Sequence, residues 1–149
     1  MPELPEVETV VRDLRAATLA GTRITDARVC WTRSIAAPAP DRFPAVIRGL
    51  NILGLSRRGK FIRIELAHGL VLLVHLRMTG RLHLAIADDP APAPPHARVR
   101  LGLDDGRTLV FSDPRKFGRL WLTTTPANVL GHLGPAPLAL SPDAFPARP

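Results

Sequence analysis

The residues best equipped for chemistry open the chain, Met1-Pro2-Glu3-Leu4-Pro5-Glu6. Loss of Met1, which a small second residue permits, leaves Pro2 as an N-terminal secondary amine. A free α-amino group titrates near pKa ~8, against ~10.4 for lysine, so more of it is unprotonated and nucleophilic at neutral pH. A secondary amine that attacks a sugar C1′ collapses to a charged iminium, a covalent route to breaking a glycosidic bond. Glu3 and Glu6 flank it with carboxylates suited to proton transfer. The same residues also suit a helix start, with Pro2 and Pro5 leading in and Glu3, Glu6 and Glu8 complementing the positive end of the dipole. Taken alone, the hexapeptide favours this second reading.

Three further clusters place cations at turns. Arg57-Arg58-Gly59-Lys60 carries Arg57, Arg58 and Lys60 at a hairpin tip, where they can reach a phosphate backbone. His75-Leu76-Arg77-Met78-Thr79-Gly80-Arg81 sets a flexible apolar residue between two arginines. Asp113-Pro114-Arg115-Lys116-Phe117-Gly118-Arg119 presents an aromatic inside a basic loop, with Asp113 placed to buttress it by a local hydrogen bond. Core packing is the usual fate of Met78 and Phe117, yet a turn among arginines weakens that reading. Apolar wedges beside arginine suit a protein that unstacks bases and kinks a duplex, or replaces a nucleotide flipped out for chemistry.

These clusters need a scaffold, and the periodicity supplies one. Val7, Val10, Val11, Leu14 and Thr18 recur at helical spacing opposite Glu8, Arg12 and Arg15, which predicts an amphipathic helix from Pro5 with a stop at Gly21. Residues 24–31 alternate as a strand. A second short helix is expected over residues 41–48, limited by Pro44 to a turn or two. Strands are expected over residues 51–57, 61–66, 70–76, 81–86, 98–103, 108–112 and 119–123. Tight turns are expected at Arg57–Lys60, Ala67-His68-Gly69 and Asp104-Asp105-Gly106-Arg107. Gly102, Gly106 and Gly118 read as turn glycines, and Asp104 and Asp105 as turn residues.

The fold class is therefore α+β and mainly β: a two-layered antiparallel sandwich with an N-terminal helix and a second short one. Residues 1–125 read as one domain. Residues 88–95 form a proline-rich loop, and residues 126–149, rich in Pro and Ala, read as a linker or tail.

Composition narrows the partner. A chain of 149 residues, 46% hydrophobic and 22% charged, fits one soluble globular domain. Its longest apolar runs, such as residues 70–74, are too short to span a bilayer, and its acidic N-terminus is unlike a secretory signal. The one cysteine, Cys30, excludes an internal disulfide and any CxxC-type zinc site within the chain. His68, His83, His96 and His132 show no metal-ligand spacing, so no metal is expected. A formal charge of +7 favours a polyanionic partner. Two basic residues alone are lysines, Lys60 and Lys116, and both lie in the basic turns.

PELPEVET, RRGK, HLRMTGRL, DPRKFGRL and LGPAPL span Pro2 to Leu138 in one order. Together they resemble the N-terminal catalytic domain of bacterial formamidopyrimidine-DNA glycosylase, a base-excision family that removes 8-oxoguanine and ring-opened purines. Leu4 is similar to this branch, whereas the endonuclease VIII branch, acting on oxidised pyrimidines, typically reads PEGPE. The resemblance implies a helix packed on a two-layered β-sandwich. It implies that Pro2 attacks C1′ and that β- and δ-elimination then cut the strand, combining glycosylase and abasic-site lyase activities.

By the same resemblance, Glu3 is the general acid/base for sugar ring opening, Glu6 supports the site, and Lys60 holds phosphates beside the lesion. His75 is a further phosphate contact. Met78 fills the vacated space, Arg115 bonds the orphaned cytosine, Phe117 wedges the next step, and Lys116 serves the backbone. The implied partner is double-stranded DNA bearing oxidised purines or abasic sites, bound by a monomer in the bacterial cytoplasm at the nucleoid. The family also carries a helix–two-turn–helix domain and a four-cysteine zinc finger beyond the matched segment. No cofactor is therefore expected in this chain, and zinc only in a full-length member. Ala136 stands where the family commonly shows Glu. A non-catalytic DNA-binding remnant and an endonuclease VIII-like enzyme are the alternatives.

Overall fold

Val7, Val11 and Leu14 form the buried stripe of α1 (Leu4–Ala16) in the computed structural model, which describes residues 4–77, 79–85 and 96–130. Burying such side chains is worth roughly 1.5–3 kcal/mol each, so packing rather than intrinsic propensity holds this short helix. The helix stops earlier than Gly21. Thr18 takes a positive φ of 54°, its N–H donates to Arg15 O at 3.0 Å, and the Leu19 N–H donates to Leu14 O at 3.3 Å. That is a Schellman closure with threonine in the usual glycine position. Arg107 caps the same end, donating to the carbonyls of Ala17 and Thr18, a cation placed where the helix dipole is negative.

The strands are β1 (Ile24–Val29), β2 (Ile35–Ala37), β3 (Ile52–Arg58), β4 (Phe61–Leu66), β5 (Val71–His75), β6 (Arg81–Ala85), β7 (Ala97–Leu103), β8 (Thr108–Ser112) and β9 (Arg119–Thr123). They form two sheets, ordered β1-β7-β8-β6 and β2-β9-β5-β4-β3. β4, β8 and β9 have the bounds expected from sequence. β1 ends sooner because the N–H groups of Cys30 and Trp31 both turn onto Arg98 O, at 2.7 and 3.3 Å. β2 is too short to show alternation in sequence. It pairs parallel with β9 through Ile35↔Leu120, the one departure from antiparallel pairing among the named strands.

The core lies between the sheets, where Ile24, Ile52, Ile62, Ile64, Leu72, Leu109 and Phe111 are almost fully buried. The stripe of α1 joins this cluster and closes one side of the sandwich beside the edge strands β3 and β6. α2 (Phe43–Ile47) carries Pro44 in its first turn, where a missing N–H costs nothing, and buries Phe43 and Ile47. A second cluster of Phe61, Val71, Leu73 and Leu130 covers the outer face of the five-stranded sheet. Leu130 belongs to α3 (Pro126–Leu130), so the segment read as linker begins as a helix packed on the domain. Residues 88–95 and 131–149 lie outside the described residues.

Candidate nucleic-acid interface

The strand registers gather the basic turns at one end of the sandwich. Phe61, just past the β3–β4 hairpin tip, pairs with His75 at the end of β5, and His75 pairs with Arg119 at the start of β9. In the other sheet, Arg81 at the start of β6 pairs with Ser112 at the end of β8. The hairpin carrying Lys60, the turn after His75 and the 113–118 loop therefore emerge side by side.

The start of α1 comes to the same place. Arg57 Nε donates to Glu8 Oε1 at 2.7 Å, and Arg57 Nη1 donates to Gly59 O at 3.1 Å, which also closes the hairpin tip. About two turns further along, the Arg15 guanidinium grips Leu55 O on β3 through Nε at 3.0 Å and Nη2 at 2.7 Å. The hydrogen bond from Arg57, with the charges of Arg57, Arg12 and Arg15, holds the Glu8 carboxyl below its ordinary pKa despite the opposing effect of desolvation. The helix is thus fixed in register against the hairpin. Glu6 lies in its first turn, while Pro2 and Glu3, immediately upstream, are outside the described residues.

His75 is half-buried, packed edge-on against the Phe61 ring at 4.9 Å between centroids. Desolvation, with help from Arg77 and Lys60, pushes its pKa down, so the ring is neutral at pH 7. Its Nδ1 accepts the Arg77 N–H at 3.1 Å, which places the ring proton on Nε2. A neutral imidazole with one free N–H suits donation to a phosphate oxygen. The turn beyond it is tight: Arg77 has φ 54°, and the Gly80 N–H returns to Leu76 O at 2.8 Å. A Cβ at Gly80 would lie 2.5 Å from that carbonyl. Met78 is outside the described residues.

The 113–118 loop is organised around Asp113, which has no exposed surface. Its carboxylate accepts the Arg115 N–H at 3.0 Å and the Gly118 N–H at 2.7 Å, and the Thr79 hydroxyl from the neighbouring turn. Burial alone would raise its pKa, but the bonds from Thr79, Gly118, Arg115 and Phe117 outweigh that and hold it below the ordinary value. Gly118 is required because a Cβ there would run into the Phe111 ring. The loop so formed leaves Phe117 41% exposed, with the Arg115 guanidinium 4.8 Å from its ring centroid. An exposed aromatic with a cation stacked on it is a ready base-stacking element.

Lys116 behaves differently from its neighbours. Its backbone is left-handed, with φ 63°, and its ammonium lies 4.1 Å from the centroid of the Trp31 ring. Arg58 and Lys60 sit half-buried at the hairpin tip. Trp31, Thr79 and the Arg57–Glu8 pair were not singled out from sequence. The motif order marks which loops matter and carries no sign of which side chains brace them. Only Asp113, followed by a turn proline, had a local signature. Among the described residues, no group of three or more His, Cys, Asp or Glu side chains could hold a metal ion.

Comparison with known proteins agrees with this arrangement. Residues 1–120 match the model of the formamidopyrimidine-DNA glycosylase N-terminal domain. The chain is 41% identical over 141 residues to the formamidopyrimidine-DNA glycosylase of Protochlamydia amoebophila, covering 95% of this chain and 50% of that protein. It is 47% identical over 127 residues to that of Pelotomaculum thermopropionicum, covering 85% and 45%. Among solved structures, Lactococcus lactis Fpg in complex with abasic-site DNA superposes with a TM-score of 0.78 at 32% identity, covering 89% of this chain and 48% of that one. The same enzyme with DNA containing a formamidopyrimidine lesion (Fapy-dG) gives 0.78 at 33% identity, covering 88% and 48%. The chain spans about half the length of these relatives. With its N-terminal helix locked to a basic hairpin and two turns joined across one end of a β-sandwich, it belongs to the formamidopyrimidine-DNA glycosylase family, in that family's N-terminal domain.

Proposed function

We propose that this chain carries the nucleophile and the duplex-entering loops of a DNA glycosylase/abasic-site lyase acting on oxidised purines. The observation that carries the reading is the convergence, at one end of the sandwich, of the start of α1, the Lys60 hairpin, His75 and the Arg115–Phe117 loop. In this reading the lone pair of the Pro2 nitrogen attacks C1′ of the damaged nucleotide. The C1′–base bond breaks, the base leaves with a proton, and Glu3 protonates the ring oxygen as the sugar opens to an iminium. Elimination of the 3′-phosphate and then of the 5′-phosphate cuts the strand on both sides, and water releases the proline. Glu6 supports the proline's surroundings. Lys60 and the Nε2–H of His75 hold phosphates, assisted by Arg58 and Lys116.

Met78 fills the space left by the extruded nucleotide, Arg115 reads the orphaned base, and Phe117 wedges the adjacent step. The partner is damaged double-stranded DNA, engaged by a monomer in the bacterial cytoplasm with no cofactor held by residues 1–149. Among the described residues no helix is long and apolar enough to cross a membrane. The Lactococcus lactis Fpg complexes with abasic-site DNA and with Fapy-dG-containing DNA support this substrate class.

The test is to trap the chain on an abasic-site duplex with borohydride at low salt. A covalent adduct that maps to Pro2, and that is missing from protein retaining Met1, is expected. No adduct from protein whose mass shows a free Pro2, or an adduct on Lys60, would overturn the reading. The first outcome leaves a non-catalytic DNA-binding domain in its place.

A further inference from the structure

We propose that Thr79 and Asp113 form a clasp that sets the spacing between the two duplex-entering turns, making both of them positioning residues for base extrusion. The inference rests on the reading that this end of the sandwich enters a duplex. The turn built by residues 113–118 closes on Asp113 through donors of its own, the N–H groups of Arg115 and Gly118. It does not need a hydroxyl from another loop. The hydroxyl nonetheless comes from Thr79, next in sequence to Met78, and shares Oδ1 with the Arg115 N–H. One carboxylate oxygen thus ties the residue after Met78 to the backbone of Arg115.

The clasp is braced from behind. Asp113 O accepts Arg98 Nε at 2.9 Å, and the Asp113 N–H donates to His96 O at 2.9 Å. Arg98 lies in β7 and His96 immediately precedes it, so the joint is anchored to the four-stranded sheet and not to the turns alone. On the far side, Gly80 folds the Met78 turn back onto Leu76. Successive bases on a strand are ~3.4 Å apart. A filler and a wedge serving neighbouring steps therefore have to be held to a fraction of that distance, and misplacement by about 1 Å is enough to forfeit much of the effect. A hydrogen bond to a carboxylate is roughly twice as strong as a neutral one, which suits it to link two short turns.

The experiment uses the 149-residue chain with a duplex containing a tetrahydrofuran abasic analogue, which Pro2 cannot open, and 2-aminopurine at the adjacent step. Thr79→Val keeps the shape and removes the hydroxyl, and Thr79→Ser restores it. Wild type and Thr79→Ser are expected to unstack the probe. Thr79→Val is expected to lose about tenfold in its preference for the tetrahydrofuran duplex over an undamaged one, with its undamaged-duplex affinity and its thermal midpoint near wild type. An unchanged preference in Thr79→Val, or failure of Thr79→Ser to restore it, overturns the clasp. Should Thr79→Val not fold, Thr79→Ala against Thr79→Ser decides by the same ratio. Wild-type protein that unstacks the probe but yields no borohydride adduct removes the proposed chemistry and leaves the clasp standing. Wild-type protein that never unstacks it overturns the clasp.

Discussion

Where α1 meets the β3–β4 hairpin, the polar fastenings lie close to water. The Arg57 and Glu8 side chains, 2.7 Å apart, are 33% and 44% exposed. Where the Met78 turn meets the 113–118 loop, the fastening is Asp113, with no exposure at all. The helix side can use weak polar contacts because Val7, Val11 and Leu14 already seat it in the core. The loops have no such apolar face: Phe117 points outward, and residues 114 and 115 are exposed. A turn that must present its side chains outward is held by its backbone, and a buried carboxylate is what the backbone N–H groups require.

The strongest break in this contrast is Asp113→Ala. It removes the acceptor of the buried Gly118 N–H and of the partly buried Arg115 N–H and Thr79 hydroxyl. Leaving buried donors without acceptors costs about 1–3 kcal/mol each before relaxation, so a loss of about 3 kcal/mol is expected in urea unfolding. A loss below about 1 kcal/mol would put the two fastenings on the same footing.

Acid separates them next. Asp113 has a folded-state pKa below its unfolded value, so its contribution is complete above the ordinary aspartate pKa of ~3.9 and is lost as pH falls through the folded value. Glu8 is held low by Arg57, and Asp105 by Arg107, in the same direction but in contact with solvent. High salt screens those pairs and leaves the buried site largely untouched. The acid limb of the stability–pH curve is therefore expected to persist at 0.5 M salt (about a 4 Å Debye length) in wild type and to flatten in Asp113→Asn. A wild-type limb that salt abolishes would assign the effect to the exposed pairs instead.

The sheet pattern was plain in the sequence because β4 and β9 alternate along their length and β8 is a short apolar run, all bounded by turn residues. The end of α1 was misread, since Gly21 is the obvious stop and nothing about Thr18 announces a left-handed residue. β2 was invisible because three residues carry no period and its partner β9 is remote in sequence. The candidate site was legible as motifs: Lys60, Arg115 and Phe117 lie in turns expected from sequence, and His75 closes β5, where a strand was expected. What joins them was not. Thr79 meets Asp113, Arg57 meets Glu8, and Lys116 meets Trp31 through contacts that sequence adjacency does not encode.

The smallest effect belongs to Arg57. With its guanidinium already engaged by Glu8 and Gly59 O, Arg57→Ala is expected to leave the thermal midpoint within measurement error. The same engagement predicts its behaviour toward DNA. A cation that contacts phosphate contributes nearly one unit to the slope of log affinity against log salt. Arg57, half-neutralised by a carboxylate, is expected to contribute clearly less than one, so Arg57→Ala barely flattens the slope. Glu8→Gln is the sharper probe, because it frees the guanidinium without removing it. The slope is then expected to steepen relative to wild type. If instead Arg57→Ala flattens it by a full unit and Glu8→Gln changes nothing, Arg57 is a phosphate contact, and its pairing with Glu8 does not restrain it in solution.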